Sequence, residues 1–268
     1  MLGSSRESLN TLRNYVDQQS GKPDFADSPS QLLSAASLLS SDKALRVAMS
    51  DSGQPVESRV ALVRDLFGSK LNSTAVEILA QAASQRWSSS DDIVDAIEDL
   101  AASIVFALAE KAGELDRFER ELFAFSRAVE TNSELQMALT NPALPDTAKS
   151  AVVSDVLGGR SAKGTLTLLE HAAAHLRGRR VDVALRALSV GAADRRNRLV
   201  ADVRAAIELS TDQSQRLAAA LGRLAGREVS LNLVVDPNII GGISVRLNDD
   251  VIDGSIRTRL EQARRALV

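Results

Sequence analysis

Two histidines four residues apart, His171 and His175, form the first pair in this chain whose types and spacing could do chemistry. On a helix that spacing sets both imidazoles on one face, where Glu170 or Asp182 could join them around a metal ion. Two ligands do not make a site, and the residues ninety positions earlier, Gln81 and Gln85, are amides. The pair therefore reads as polar surface, and no metal is expected. The run Gly158 to Thr165, GGRSAKGT, superficially suggests a phosphate loop. Its lysine, glycine and threonine stand in the wrong order, and the segment before it has the pattern of a helix rather than a strand. An interhelical turn is the expectation. The acidic pairs Asp91 with Asp92 and Asp249 with Asp250 fall where a helix begins and where a strand turns, so capping accounts for them. The chain has no cysteine, and neither histidine has a local serine and carboxylate around it. No catalytic residue and no cofactor-binding residue is assigned, and an enzyme is disfavoured.

The elements that would position these residues are helical over most of the chain. Of 268 residues 44% are apolar and only 3% aromatic, a balance that favours packed helices over β structure. Length and apolar content allow two or three small domains with real cores. The net charge is −3. Seven arginines between Arg177 and Arg198 nonetheless face only Asp182 and Asp194, a stripe that could track phosphates or an acidic protein. That segment lacks the stacking aromatics that nucleic-acid binders add, so no nucleic acid is expected. The start MLGSSRESLN does not read as a signal peptide, no run is long and apolar enough to span a bilayer, and a reducing, cytoplasmic setting is the expectation.

The sequence repeats itself at an offset of ninety without a gap. Leu45 aligns with Leu135, Pro55 with Pro145, Val63 with Val153, Gly68 with Gly158 and Leu79 with Leu169. Each copy reads as a short apolar helix, a turn, a helix opening at its proline and stopping at its glycine, and a further helix. Between the copies, Ser88 to Asp92 caps a helical pattern from about Ile93 to Ala112, with Ile93, Ile97, Leu100, Ile104 and Leu108 on one face. Gln18 to Ser30 is the loosest stretch and reads as a helix connection.

The end of the chain changes period. Leu199 to Ile207 is expected as a strand and Thr211 to Gly226 as a helix. A run ending in Val234 and Val235 precedes Asp236 and Pro237, and Ile243, Val245 and Leu247 then alternate with polar residues as a half-buried strand does. Gly241 and Gly242 stand where that strand begins and read as an entry bend. A short strand follows, then a closing helix with Ser255 or Asp253 at its N-cap and Ile256, Leu260, Ala263 and Leu267 on one stripe.

This last segment, with Asp236, Ile239, Ile240, Gly241, Gly242, Val245, Arg246, Val251, Ile252, Asp253, Gly254, Ser255, Arg259 and Leu260, closely resembles the C-terminal signature of the delta subunit family of F-type ATP synthases, called the oligomycin-sensitivity-conferring protein in mitochondria. The second copy of the repeat resembles that family's helical domain in three stretches: a first helix from Ile104 to Phe125, then Asn132 to Leu157, then Leu168 to Arg180. Asn141, Pro142, Lys149 and the Arg177, Gly178, Arg179 corner sit where the family carries similar residues. Leu100 stands where an aromatic commonly opens the first helix.

The resemblance implies one helical bundle and a small C-terminal domain, and with the repeat the expectation is a mostly α chain with a small α+β C-terminal domain: two tandem helical bundles followed by a β-α-β-β-α domain. Residues 1–95 would be an extra bundle and divergent repeat, 96–190 the delta-type bundle, and 191–268 the C-terminal domain. It further implies a non-catalytic peripheral-stalk subunit that links the α3β3 head to the b subunit of the membrane sector and resists rotor torque. The delta-type bundle would receive N-terminal segments of the alpha subunit, with Ile104, Leu108 and Leu166 the contact residues to examine first. The C-terminal domain would clasp the b subunit, with Asp236, Ile240, Gly241, Gly242, Asp253, Gly254 and Ser255 shaping that domain. The setting would be the cytoplasmic face of a bacterial cell membrane, reached only through b. The resemblance does not determine what the extra bundle does; packing along b or a second alpha subunit is one hypothesis for it. A free-standing helical adaptor that keeps the motif only as a fold, and more distantly an acyl- or nucleotide-binding enzyme, are the alternatives.

Overall fold

In a computed structural model, the described residues are 3–159, 161–197, 199–226, 229–236, 239, 241–247 and 250–253. Contacts divide the chain into two compact units, Met1–Arg195 and Arg196–Val268.

The first unit holds helices α1 (Ser4–Gln18), α2 (Ser28–Ser41), α3 (Lys43–Ser50), α4 (Val56–Phe67), α5 (Ser73–Ser84), α6 (Ser90–Lys111), α7 (Leu115–Thr131), α8 (Ser133–Thr140), α9 (Asp146–Leu157), α10 (Lys163–Ala174) and α11 (Val181–Asn197), the last running just past its edge. A single hydrophobic core runs from Leu12 to Ala192. Bounds of α3, α4 and α5 plus ninety give those of α8, α9 and α10, at both ends. The caps repeat with them. Asp42 accepts the backbone N–H of Leu45, and Asn132 that of Leu135. Asp51 accepts the N–H of Gly53 at 2.9 Å, and Asn141 that of Ala143 at 2.9 Å. Pro55 and Pro145 are N-caps of α4 and α9, and Gly68 and Gly158 their C-caps.

Helix α6 crosses the expected boundary at residues 95 and 96 and belongs to both halves. Between Asp92 and Glu110 every residue is buried or half-buried, as expected for a helix packed on opposite sides. Helices α1, α2, α3 and α5 lie against it from the first half, and α7 and α10 from the second. Two glycines let second-half helices come close. A Cβ on Gly164 of α10 would lie 2.6 Å from Val105, and one on Gly191 of α11 would lie 2.8 Å from the Phe106 ring.

The single helix expected from Ile104 to Phe125 is broken. Gly113 takes φ +69°, its N–H bonds to Glu110 and that of Glu114 to Ala109. These two bonds make a Schellman stop, which closes α6 before α7 opens. The stretch Gln18 to Ser30 is pinned rather than loose. The Asp24 carboxylate accepts the Thr74 N–H at 3.0 Å, the Ser73 hydroxyl at 2.9 Å and the Thr74 hydroxyl, joining Asn72 in capping α5.

The second unit contains β1 (Leu199–Ala205), α12 (Thr211–Ala225), β2 (Val229–Val235), β3 (Ile243–Leu247) and β4 (Asp250–Asp253). The sheet order is β2-β1-β3-β4, with β1 parallel to β2, antiparallel to β3, and β4 antiparallel to β3. The expected strand-helix-strand-strand order is present, and the short strand expected after it is β4. Ala201, Val203, Val229, Leu231 and Val245 form a core with Leu221 of α12. Ser210 and Gln213 make a reciprocal capping box at the start of α12, and Gly226 ends it in the left-handed region. The expected closing helix lies outside the described residues.

Candidate functional site

The two histidines are half-buried at a junction between the halves of the first unit, not on polar surface. Their ring centroids are 4.5 Å apart. His171 Nε2 lies 3.1 Å from Glu98 on α6, and His175 Nε2 lies 2.9 Å from the Ser37 hydroxyl on α2. The other Glu98 oxygen accepts Arg177 at 2.6 Å and Arg179 at 3.0 Å. Arg177 also bonds Asp95. It has φ +49°, and Gly178 follows at +76°, so this corner turns the chain to aim both guanidiniums at α6. Burial opposes the Glu98 charge, but the bond from His171 and the two guanidiniums outweigh it and hold its pKa at about 2. Among the described residues no three histidines or carboxylates are placed to hold a metal.

In the first half hydroxyls stand in for these carboxylates. Ser5 and Ser8 occupy on α1 the places that Asp95 and Glu98 occupy on α6. The Ser5 hydroxyl accepts the Ser88 N–H at 2.7 Å, and the Ser8 hydroxyl donates to the Arg86 carbonyl at 2.7 Å.

Three arginines of the stripe, Arg177, Arg179 and Arg195, are spent on contacts inside the first unit. Arg195 on α11, 10% exposed, reaches Asp17 of α1 at 2.7 Å and Glu110 of α6 at 2.7 Å. Arg177 and Arg179 hold α6, and Arg180 bonds its neighbour Asp182 at 2.9 Å. Arg177, Arg179 and Arg195 thus fasten helices to one another, while Arg180, Arg186 and Arg196 stay on the surface. Gly158 and Gly159 both have positive φ and connect α9 to α10, the interhelical turn expected there.

Of the candidate contact residues, Ile104 is 0% exposed and part of the core, while Leu108 and Leu166 are half-buried against it. Ile104 shares a stripe with Ile93, Ile97 and Leu100, all fully buried. Nothing in the period of that stripe shows that the extra half also packs on this helix, which is why Ile104 reads from sequence as a contact residue.

In the second unit Gly241 and Gly242 have φ of +132° and +81° immediately before β3, a backbone that L side chains rarely adopt, which suits the strand-entry reading. The Asp236 N–H bonds to Ala205 at 2.9 Å, tying the end of β2 to β1. Asp253 pairs with Ser244 as β4 ends. Ile240, Gly254 and Ser255 lie outside the described residues.

The geometry therefore offers joints between helices and no assembled set of catalytic groups among the described residues. The family model for the ATP synthase delta (OSCP) subunit matches residues 102–267. The ATP synthase subunit delta of Streptomyces coelicolor is 41% identical over 100% of this chain and 98% of its own length. Those of Streptomyces avermitilis and a Parafrankia species are 40% and 38% identical, covering 99% and 100% of this chain and 98% and 99% of their own. These relatives align along the first half as well, which the family model does not reach. With both the family model and full-length relatives in agreement, the chain belongs to the ATP synthase delta (OSCP) subunit family.

Proposed function

We propose that this chain is a non-catalytic stator subunit of a bacterial F-type ATP synthase, joining the catalytic head to the b subunit of the peripheral stalk. The observation that carries this reading is the full-length likeness to proteins named ATP synthase subunit delta. A stator must pass torque without yielding, and the first unit suits that load: one continuous core around α6, cross-tied by Arg195 and by the Glu98 cluster.

In this reading residues 1–95 are a divergent copy of the bundle at 96–190, overlapping it through α6, and the C-terminal domain expected at 191–268 starts only after Arg195, because Gly191 and Arg195 pack within the first unit. An N-terminal segment of an alpha subunit docks as an amphipathic helix on the second bundle. Leu108 and Leu166 retain partial exposure for it, whereas Ile104 supports the fold. The C-terminal domain holds the b subunit, with the glycine bend and Asp236 shaping that domain. No described helix is long and apolar enough to cross a membrane, and the subunit is held at the cytoplasmic face through b.

The test is co-migration on a sizing column with catalytic heads stripped of their stalk, before and after the alpha N-terminal segments are clipped. One copy per head, lost on clipping, is the expected result. Failure to bind competent heads would leave the family likeness as fold alone.

A further inference from the structure

The chain has two histidines, and both stand at one junction: His171 on α10 touches α6, and His175 just beyond α10 touches α2. We propose that this stacked pair is a proton-operated latch between the two halves of the first unit, closed when the pair carries at most one proton and loosened when it takes a second.

Hydrogen-bond capacity assigns the protons in the closed state. A serine hydroxyl has one proton to donate, and Ser37 donates its own to the Leu33 carbonyl at 2.9 Å. Toward His175 the same oxygen then accepts, so the neutral ring carries its proton on Nε2. The bare Nδ1 faces Asp146 at the start of α9, 3.7 Å away. Glu98 as a carboxylate can only accept, so His171 donates to it from its own Nε2. In this state both histidine bonds across the junction are satisfied.

The surrounding charge sets how many protons the pair accepts. From α6 come Asp95 and Glu98, from α9 Asp146, and from the corner after α10 Arg177 and Arg179. Helix α2 adds no ionisable residue. Three carboxylates against two guanidiniums leave one net negative charge while both rings are neutral. One proton balances the cluster. A second makes it net positive, with two cations whose ring centres are 4.5 Å apart and half-buried. Burial, followed by the neighbouring His171, already lowers the His175 pKa from its ordinary 6.5. A histidine that binds its proton less readily when folded adds stability above about pH 6.5, and that stability is lost as the pH falls toward the folded value.

The first half makes the comparison internal. Gln81 and Gln85 occupy the equivalent positions ninety residues earlier. They keep polar side chains there and cannot titrate, so the proton response belongs to the second copy alone. The latch does not depend on which partners the subunit binds.

With only two imidazoles, NMR of the full chain between pH 8 and 4.5 reads the pair directly. Two coupled steps are expected, with the His175 step below its ordinary range. Amide exchange in α10 and the adjoining face of α2, corrected for intrinsic rates, should rise severalfold from pH 7 to pH 5. H175Q, which installs the first half's residue, should abolish that rise, and H171Q should restore His175 toward an ordinary titration. Two independent steps at ordinary values would overturn the latch. So would the same exchange response in H175Q, or a His175 titration unmoved in H171Q.

Discussion

Arg195 reaches from α11 back to Asp17 on α1, a span of 178 residues along the chain. Asp17 is itself 10% exposed, so removing the guanidinium leaves a carboxylate with little water to take its place. R195A is expected to cost about 3 kcal/mol or more in denaturant unfolding, the usual penalty for breaking a buried pair from one side. Acid should act on Glu98 and Asp24 together. The Glu98 pKa is held at about 2 by His171, Arg177 and Arg179 against its burial, and that of Asp24 at about 2 by bonds from Thr74 and Ser73. Both values lie below the unfolded ones, so both contributions are intact above about pH 4.5 and disappear as pH falls toward 2. D24N should reduce stability by about 1 kcal/mol, the scale of a lost helix cap, and flatten part of the acid limb of a stability–pH curve. None of these partnerships is visible as spacing. His171 and His175 show a helical interval, but Glu98, Ser37 and Asp146 come from three other helices, so no local pattern separates a half-buried joint from polar surface.

Helix bounds are more legible, because the signals that set them are local. The prolines and glycines at 55, 68, 145 and 158 fall at helix ends, and Asp42 and Asn132 cap the short helices α3 and α8. The stop at Gly113 is hidden because Leu115, Phe118, Leu122 and Phe125 resume a helical period soon after it. Close approaches of α10 and α11 to α6 are hidden too, since a glycine inside a helical pattern does not announce what lies opposite. They make a specific forecast. Replacing a helical glycine by alanine ordinarily gains up to about 1 kcal/mol, but G191A should lose about 1–3 kcal/mol because its new carbon meets the Phe106 ring. In the double variant with F106L, part of that loss should return, and a thermal-unfolding cycle over the four proteins would show it. Unchanged stability in G191A would mean that α11 and α6 do not approach this closely.

At the scale of the whole chain, the two halves of the first unit share one core, and that makes unfolding of either a disturbance of both. Trp87, the sole tryptophan, lies 8% exposed in the first half and donates its indole N–H to the Ala82 carbonyl at 2.9 Å. Its fluorescence should therefore report the loss of α10 in the second half: the Trp87 transition and the exchange of α10 amides should share one midpoint in urea. Two separated midpoints would show that the halves unfold apart. I104E should move that common midpoint sharply downward, because it puts a charge at a site with no exposure. L108E and L166E should leave it closer to its starting value and weaken binding of the alpha segment instead.

The fivefold arithmetic of the helices comes from the double use of α6. Helices α1 to α5 make one period of the repeat and α6 to α10 the next, with α11 standing one step further. The repeating unit is thus five helices long, although each bundle counts six, because the first bundle shares α6 with the second and α11 completes the second. A gene lengthened by one more such module would need no new linker. Conversely, a crossover that cut inside α6 would damage both bundles at once, so recombination between relatives can exchange halves only where α6 is inherited whole.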